Sequence, residues 1–196
     1  MPNTGGIILC GGESSRMGRA KAWLPFGGEF LLQRVVRVVA GVVRPVVVVA
    51  APGQELPPLP DGIEIVRDSL LAKGPLAGFA AGLAALDGRV DAVYLSSCDV
   101  PFLKPEFVRT VIGQLQESAV AVPQIQGYPH PLAGIYRLQV RAVVERMLAE
   151  NRLRLRDVFN EVPTRFLGAE LFEEVNSLRN VNTPAEYELA LQTLLP

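Results

Sequence analysis

Between two segments with helical spacing, the chain runs Pro45-Val46-Val47-Val48-Val49-Ala50-Ala51. Four consecutive β-branched residues favour extended backbone, and no polar residue alternates with them, so both faces of this strand need an apolar cover. A central strand of a parallel sheet with helices on both sides meets that need. The rest of the chain keeps the same rhythm of short apolar runs and helical patterns. Strands are expected at Gly6–Cys10, Gly62–Arg67, Asp91–Ser97, Ala119–Pro123 and Leu132–Tyr136. Helices are expected at Phe30–Ala40, Leu76–Leu86, Pro105–Glu117 and Leu138–Glu150, with Pro52–Asp61 as a loop. In the first helix, positions 31, 32, 35, 36, 38 and 39 are apolar and Arg34 and Arg37 fall on the wet face. A last helix opens with Thr183 as cap, Pro184 and Glu186, a capping box, and is expected to reach about Leu195. The reading is an α/β fold in three layers.

The 196 residues suit one domain, with no repeat and no Gly/Ser/Pro linker to divide residues 1–196. Lys plus Arg number 19 against 20 Asp plus Glu, without charge blocks, which argues against non-specific nucleic-acid binding or attachment to an acidic membrane. The most apolar windows are interrupted by Arg34, Arg37, Arg44 and Asp87, short of the ~20 residues of a membrane span. Gly11 and Gly12 end the first apolar run too early for a secretory leader, so a cytoplasmic location is expected. Cys10 and Cys98 give neither a disulfide framework nor a zinc pattern and read as small buried hydrophobes. Both stand at strand ends bordering one crevice, where they are expected to approach each other, and their oxidation would distort the site.

The first expected strand runs into Gly11-Gly12-Glu13-Ser14-Ser15-Arg16-Met17-Gly18-Arg19-Ala20-Lys21. Glycines let backbone N–H groups approach an anion, and Arg16, Arg19 and Lys21 supply charge to neutralise a triphosphate. No Gly-Lys-Ser/Thr follows, so this is not a Walker A loop, and no Gly-x-Gly-x-x-Gly is present. The bland alternative is a plain strand-to-helix turn. Asp68 and Asp99 stand at two further strand ends, where open α/β sheets bind ligands. A carboxylate beside a triphosphate needs a divalent cation between them, and magnesium takes one or two carboxylates plus phosphate oxygens. Asp99 is the better ligand candidate; either aspartate alone also fits a cap or a turn.

Together these segments resemble the molybdenum cofactor guanylyltransferases, within the larger nucleotidyltransferase family of three-layer α/β/α folds with a mostly parallel sheet. The resemblance is carried by Leu9-Cys10-Gly11-Gly12-Glu13-Ser14-Ser15-Arg16-Met17-Gly18 with Lys21, Leu24 and Gly27-Gly28. Three more segments follow in order: Arg67-Asp68-Ser69 leading to Gly74-Pro75-Leu76-Ala77-Gly78, Ser97-Cys98-Asp99-Val100-Pro101-Phe102, and Asn180-Val181-Asn182-Thr183-Pro184. The resemblance implies transfer of GMP from GTP to the terminal phosphate of molybdopterin, with pyrophosphate leaving and Mg2+ as cofactor. Leu9, Cys10, Gly11 and Gly12 would hold the nucleotide, Lys21 its phosphates, Asp68 the nucleotide, and Asp99 both metal and nucleotide. Arg16 and Lys21 would offset charge on the leaving pyrophosphate. Asn180 and Asn182 would lie near the pterin or the site wall, although Asn182 also suits the start of the last helix. Transient contact with cofactor-pathway proteins or molybdoenzymes is a further implication.

Two positions depart from the family pattern. Ala20 stands where aspartate is frequent, and Val49-Ala50-Ala51 is apolar where the family often has asparagine. Such a change implies lower GTP affinity, compensation from a neighbouring loop, or a changed nucleotide or acceptor. Guanine preference then rests on Gly11-Gly12 and Gly74-Pro75-Leu76-Ala77-Gly78. The alternatives are a cytidylyltransferase or sugar-phosphate nucleotidyltransferase of the same fold, or a nucleotide-binding module without turnover. His130, in Tyr128-Pro129-His130-Pro131-Leu132, reads either as an acceptor contact or as a surface histidine; an attacking phosphate is already ionised and needs no base. Arg152, Arg154 and Arg156 form a solvated helix face or a phosphate clamp. Trp23 reads as a packing residue rather than a base-stacking platform.

Overall fold

The computed structural model describes residues 2–11, 20–68 and 74–194. In chain order these form β1 (Thr4–Leu9), a hairpin of β2 (Pro25–Phe26) and β3 (Glu29–Phe30), α1 (Leu31–Ala40), β4 (Val46–Ala50), β5 (Ile63–Arg67) and α2 (Gly74–Ala85). Then come β6 (Ala92–Ser97), α3 (Pro105–Gly113), β7 (Val120–Ile125), β8 (Tyr128–Pro129), β9 (Ile135–Arg137), α4 (Val140–Ala149), β10 (Thr164–Leu167) and α5 (Pro184–Gln192). The main sheet has the order β10-β7-β9-β6-β1-β4-β5, with β8 attached to β7. Pairings of β1 with β4 and β6, β4 with β5, and β7 with β10 are parallel, whereas β9 runs antiparallel to both neighbours.

The valine run explains the layering. Val46 and Val48 join a core with Val35, Val36 and Val39 of α1 and Val108 and Val111 of α3. Val47 and Val49 face the other way, onto Leu76, Phe79 and Leu83 of α2, in a core that also holds Val144 and Met147 of α4. All four valines are buried, each contributing about 1.5–3 kcal/mol relative to exposure. The three-layer architecture follows from that two-sided burial. A third, smaller cluster of Leu24, Phe26, Leu31, Val181 and Ala190 fastens α5 to the β2–β3 hairpin, and the Tyr187 hydroxyl donates to Pro25 O.

Helix α2 lies so close on β1 that a Cβ placed on Gly82 would stand 2.7 Å from Ile7 Cγ2 and 2.9 Å from Ile7 Cδ1. Both residues are buried, so neither has space to yield. Gly82→Ala is therefore expected to destabilise the protein by about 2 kcal/mol despite the better helix propensity of alanine. Thermal unfolding should show a fall of about 6 °C; an unchanged midpoint would contradict the close approach.

Several boundaries differ from the sequence reading, each for a local reason. The expected helix over 105–117 ends at Gly113, and Gln116 has φ 44°. Residues 131–133 form a 3-10 turn led by Pro131, so the expected strand at Leu132–Tyr136 is confined to β9. Helix α4 stops at Ala149 because Asn151 adopts φ 55°, with Asn151 N–H donating to Leu148 O and Arg152 N–H to Met147 O. That Schellman closure takes Arg152, Arg154 and Arg156 off the helix; Arg152 instead pairs with Glu150 and Glu161. Strands β2, β3, β8 and β10, two to four residues long, are too short to show a periodic pattern in the sequence.

The order of the sheet locates a crevice. From β1 the chain builds outward through β4 to β5, then returns to place β6 on the opposite side of β1. Ligands bind beyond the carboxyl ends of the strands at such a reversal. Leu9-Cys10-Gly11, Ala50-Ala51, Asp68 and Cys98-Asp99 occupy those ends.

Candidate active site

Strand β6 ends in Ser97, and the next two residues turn back toward β1, with Cys98 N–H donating to Leu9 O at 3.0 Å. This turn presents the Asp99 carboxylate, half-buried, beyond the sheet. The Ser97 hydroxyl, itself buried, donates to Asp99 Oδ1 at 2.6 Å. Lys21 Nζ, from the 3-10 turn at Lys21–Trp23, lies 2.7 Å from Asp99 Oδ2 and 2.7 Å from Asn182 Oδ1. The cluster thus unites residues separated by up to 161 positions in sequence. Charge-assisted bonds in a partly desolvated site hold the lysine and carboxylate in fixed relative positions.

The C-terminal segment is built into this cluster. Val181 N–H donates to Asp99 O at 2.9 Å, and Val181 itself is fully buried. Glu186 Oε2 accepts from Asn182 N–H at 2.7 Å and Thr183 N–H at 3.1 Å, while Thr183 Oγ1 accepts from Glu186 N–H at 3.2 Å. The capping box read from sequence therefore does two tasks: it starts α5 and fixes Asn182 against Lys21. The Asn182 amide holds the Glu186 carboxyl below its usual 4.5, and the bonds from Thr183 and the Lys21 charge act in the same direction. A lowered carboxyl adds stability above its unfolded pKa and loses it as pH falls through the folded value. The thermal midpoint of Glu186→Ala should thus lie below wild type at neutral pH and approach it as pH falls below 4.5 and through the lowered value of the folded carboxyl. A difference independent of pH would refute the ionic part of this cap.

Asp68 occupies a second corner. Its backbone N–H donates to Ala50 O at 2.9 Å, and its Oδ2 would be 3.8 Å from a Cβ on Gly78, beside Leu9 Cδ2 at 3.3 Å and Val49 Cγ1 at 3.7 Å. The bare glycine in the second turn of α2 lets the ends of β1, β4 and β5 converge there. Asp68, Leu9, Cys10 and Gly11 thus share one end of the sheet with Lys21 and Asp99.

Residues 6–165 match the sequence model of the MobA-like NTP transferase domain. A Carboxydothermus hydrogenoformans protein named "Probable molybdenum cofactor guanylyltransferase" is 32% identical, covering 98% of this chain and 97% of its own length. The chain belongs to the MobA-like NTP transferase family. The fold agrees with the crystal structure of molybdopterin-guanine dinucleotide biosynthesis protein A from Archaeoglobus fulgidus, with TM-score 0.79 and 20% identity, covering 97% of this chain and 98% of that one. A Mycobacterium tuberculosis protein solved in complex with manganese has TM-score 0.67 at 16% identity, covering 97% and 99%.

Within this MobA-like frame, the remaining expectations divide. Arg16 and Gly12 lie outside the described residues, as do residues 69–73 of the second segment. Asn180 is exposed, and no described contact joins it to Lys21, Asp99 or Asn182. His130 sits half-buried before the 3-10 turn at Pro131–Ala133, its N–H donating to Pro123 O, without a described contact to Lys21 or Asp99. Burial pushes its imidazole down from 6.5, toward the neutral form. Trp23 packs edge-on against Phe30 at 5.2 Å and donates to Glu55 O at 3.1 Å, a packing role. Cys10 and Cys98 are neighbours, and the hydrogen bond to Cys10 together with burial pushes the Cys98 thiol well up, which makes it a poor nucleophile. Sequence reasoning missed Ser97 as the partner of Asp99, although it stands two residues away.

Among the described residues, no three His, Cys, Asp or Glu side chains gather to hold a metal. Asp99 is a single carboxylate with Ser97 and Lys21 on its oxygens. That donor set fits a hard divalent ion sharing its ligands with substrate phosphates rather than a closed protein cage.

Proposed function

We propose that the chain transfers GMP from GTP to the terminal phosphate of molybdopterin, giving molybdopterin guanine dinucleotide and pyrophosphate. The observation that carries this reading is the Lys21–Asp99–Asn182 cluster at the strand reversal, in a chain of the MobA-like family whose full-length relatives carry the guanylyltransferase name. In-line phosphoryl transfer needs positioning and charge neutralisation, not a covalent intermediate. Lys21 serves as the cation for the nucleotide phosphates, leaving Asp99 when they arrive. Asp99 is the carboxylate for Mg2+, which, when bound, supplies charge neutralisation at the phosphate oxygens. Leu9, Cys10 and Gly11 border the nucleotide through backbone groups and Asp68 holds it from the β5 end; Gly12 is assigned to the nucleotide and Arg16 to the leaving pyrophosphate, as the family resemblance implies. Asn182 orients Lys21, and Asn180 and His130 are assigned to the acceptor side.

With one protein carboxylate, metal and nucleotide bind as a unit. Calorimetric titration with GTP, CTP and ATP, each with and without magnesium, tests this: GTP should bind selectively and only with magnesium. Preference for CTP would move the chain to the cytidylyl activity, and absence of binding to all three would refute a nucleotidyltransferase site.

A further inference from the structure

The ladder between β1 and β4 ends in an unusual way. Cys10 N–H donates to Val49 O at 2.8 Å, the last regular bond of the parallel pair. In a continued parallel ladder, the next bond would run from Ala51 N–H to Cys10 O. Instead the carboxamide of Gln54 stands between them: its Oε1 accepts from Ala51 N–H at 3.0 Å and its Nε2 donates to Cys10 O at 3.0 Å. A side-chain amide has been inserted where two strands would otherwise close on each other.

The local sequence brings it there. Gln54 N–H donates to Ala51 O at 3.1 Å, Pro52 follows Ala51, and Gly53 has φ 71°. Proline then glycine at positive φ marks a type II turn, which returns residue 54 beside residue 51. Arg67, at the end of β5, holds this turn, with Nη1 donating to Ala51 O at 3.0 Å and Gln54 O at 2.8 Å. Cys10 O is thereby directed toward Gln54, and in a trans peptide the Gly11 N–H points the opposite way. Gly11 also needs its small size, because a Cβ there would stand 3.3 Å from Ala51 N.

We propose that Gln54 is a positioning residue for nucleotide binding: its carboxamide keeps the ends of β1 and β4 apart and fixes the peptide that leads into the glycine loop. This deepens the guanylyltransferase reading and rests on it. Without the carboxamide, Ala51 N–H and Cys10 O can bond directly, so the strand ends close and the loop root is drawn toward β4 while the hydrogen bonds are replaced. Loss of the spacer should thus weaken nucleotide binding without a matching loss of stability.

Gln54→Ala tests this by calorimetry with GTP and magnesium. The dissociation constant should rise about tenfold, as for loss of one or two positioned hydrogen bonds, with binding stoichiometry and thermal midpoint close to wild type. Should Gln54→Ala not fold, Gln54→Glu serves: it keeps the bond from Ala51 but offers no donor to Cys10 O, and the same weakening is expected. GTP bound equally tightly by wild type and the folded variant overturns the spacer role alone. A loss of stoichiometry and thermal midpoint with unchanged affinity marks a merely structural residue and also overturns it. No GTP binding by wild type overturns the functional reading, and this inference with it.

Discussion

Asp99→Asn should lower the rate of GMP transfer by about a thousandfold and leave the fold intact. The substitution keeps the shape of the side chain and its acceptance from the Ser97 hydroxyl, but removes the negative charge that faces Lys21 at 2.7 Å. Stability should fall by only about 1 kcal/mol, because Lys21 retains Asn182 and stands at the edge of solvent. Nucleotide binding should change in an informative way. Asp99 repels a triphosphate unless a cation lies between them, so Asp99→Asn should bind GTP with little dependence on magnesium. Single-turnover rates and calorimetry together check this. Undiminished transfer, or binding that still requires magnesium, would remove Asp99 from its assigned role.

Lys21→Met is expected to lower kcat/KM by about 100-fold or more. Methionine preserves much of the apolar stem but leaves the Asp99 carboxylate and the Asn182 amide oxygen without their shared cation. Both the attraction for phosphate and the neutralisation of Asp99 before metal arrives are lost, so GTP affinity and turnover fall together. Lys21→Arg restores charge but not the compact ammonium that fits between two oxygens at 2.7 Å. Its recovery should therefore be partial. Full recovery would show that Lys21 acts through charge alone, and that Asn182 and the capping box behind it have no positioning role.

The sequence was most informative where one physical demand dominated. Four valines without polar alternation require cover on both faces, and the structure places helices there. The Thr183-Pro184-Glu186 box fixes the start of α5 by local chemistry alone. Positions at strand ends, such as Asp68 and Asp99, could be read once the strands were placed. The register of β1 with β6, Leu9 opposite Ser97, then makes the nearness of Cys10 and Cys98 a consequence of pairing.

Less was visible where several weak tendencies compete. Strand β9 takes its direction from neighbours on both sides, and the turn before it is set by Pro131, so its limits depend on tertiary contacts. The arginines at 152, 154 and 156 keep the alternation of an exposed face, yet the single left-handed residue Asn151 ends the helix before them. Gln54 carried no periodic signal at all. Its meaning arises from a Pro-Gly turn, an arginine from the next strand and the interrupted ladder between two others. Ser97 was likewise hidden, because a serine in a buried strand reads as a tolerated small residue until its hydroxyl is seen on Asp99.

Incubation of the purified protein with GTP labelled at the α-phosphate, magnesium and molybdopterin decides whether the chain forms the guanine dinucleotide. Label is expected in a dinucleotide product, with one pyrophosphate released for each GMP transferred and none without the acceptor. Release of pyrophosphate with CTP but not GTP, or label left entirely in free nucleotide while GTP is bound, would contradict it.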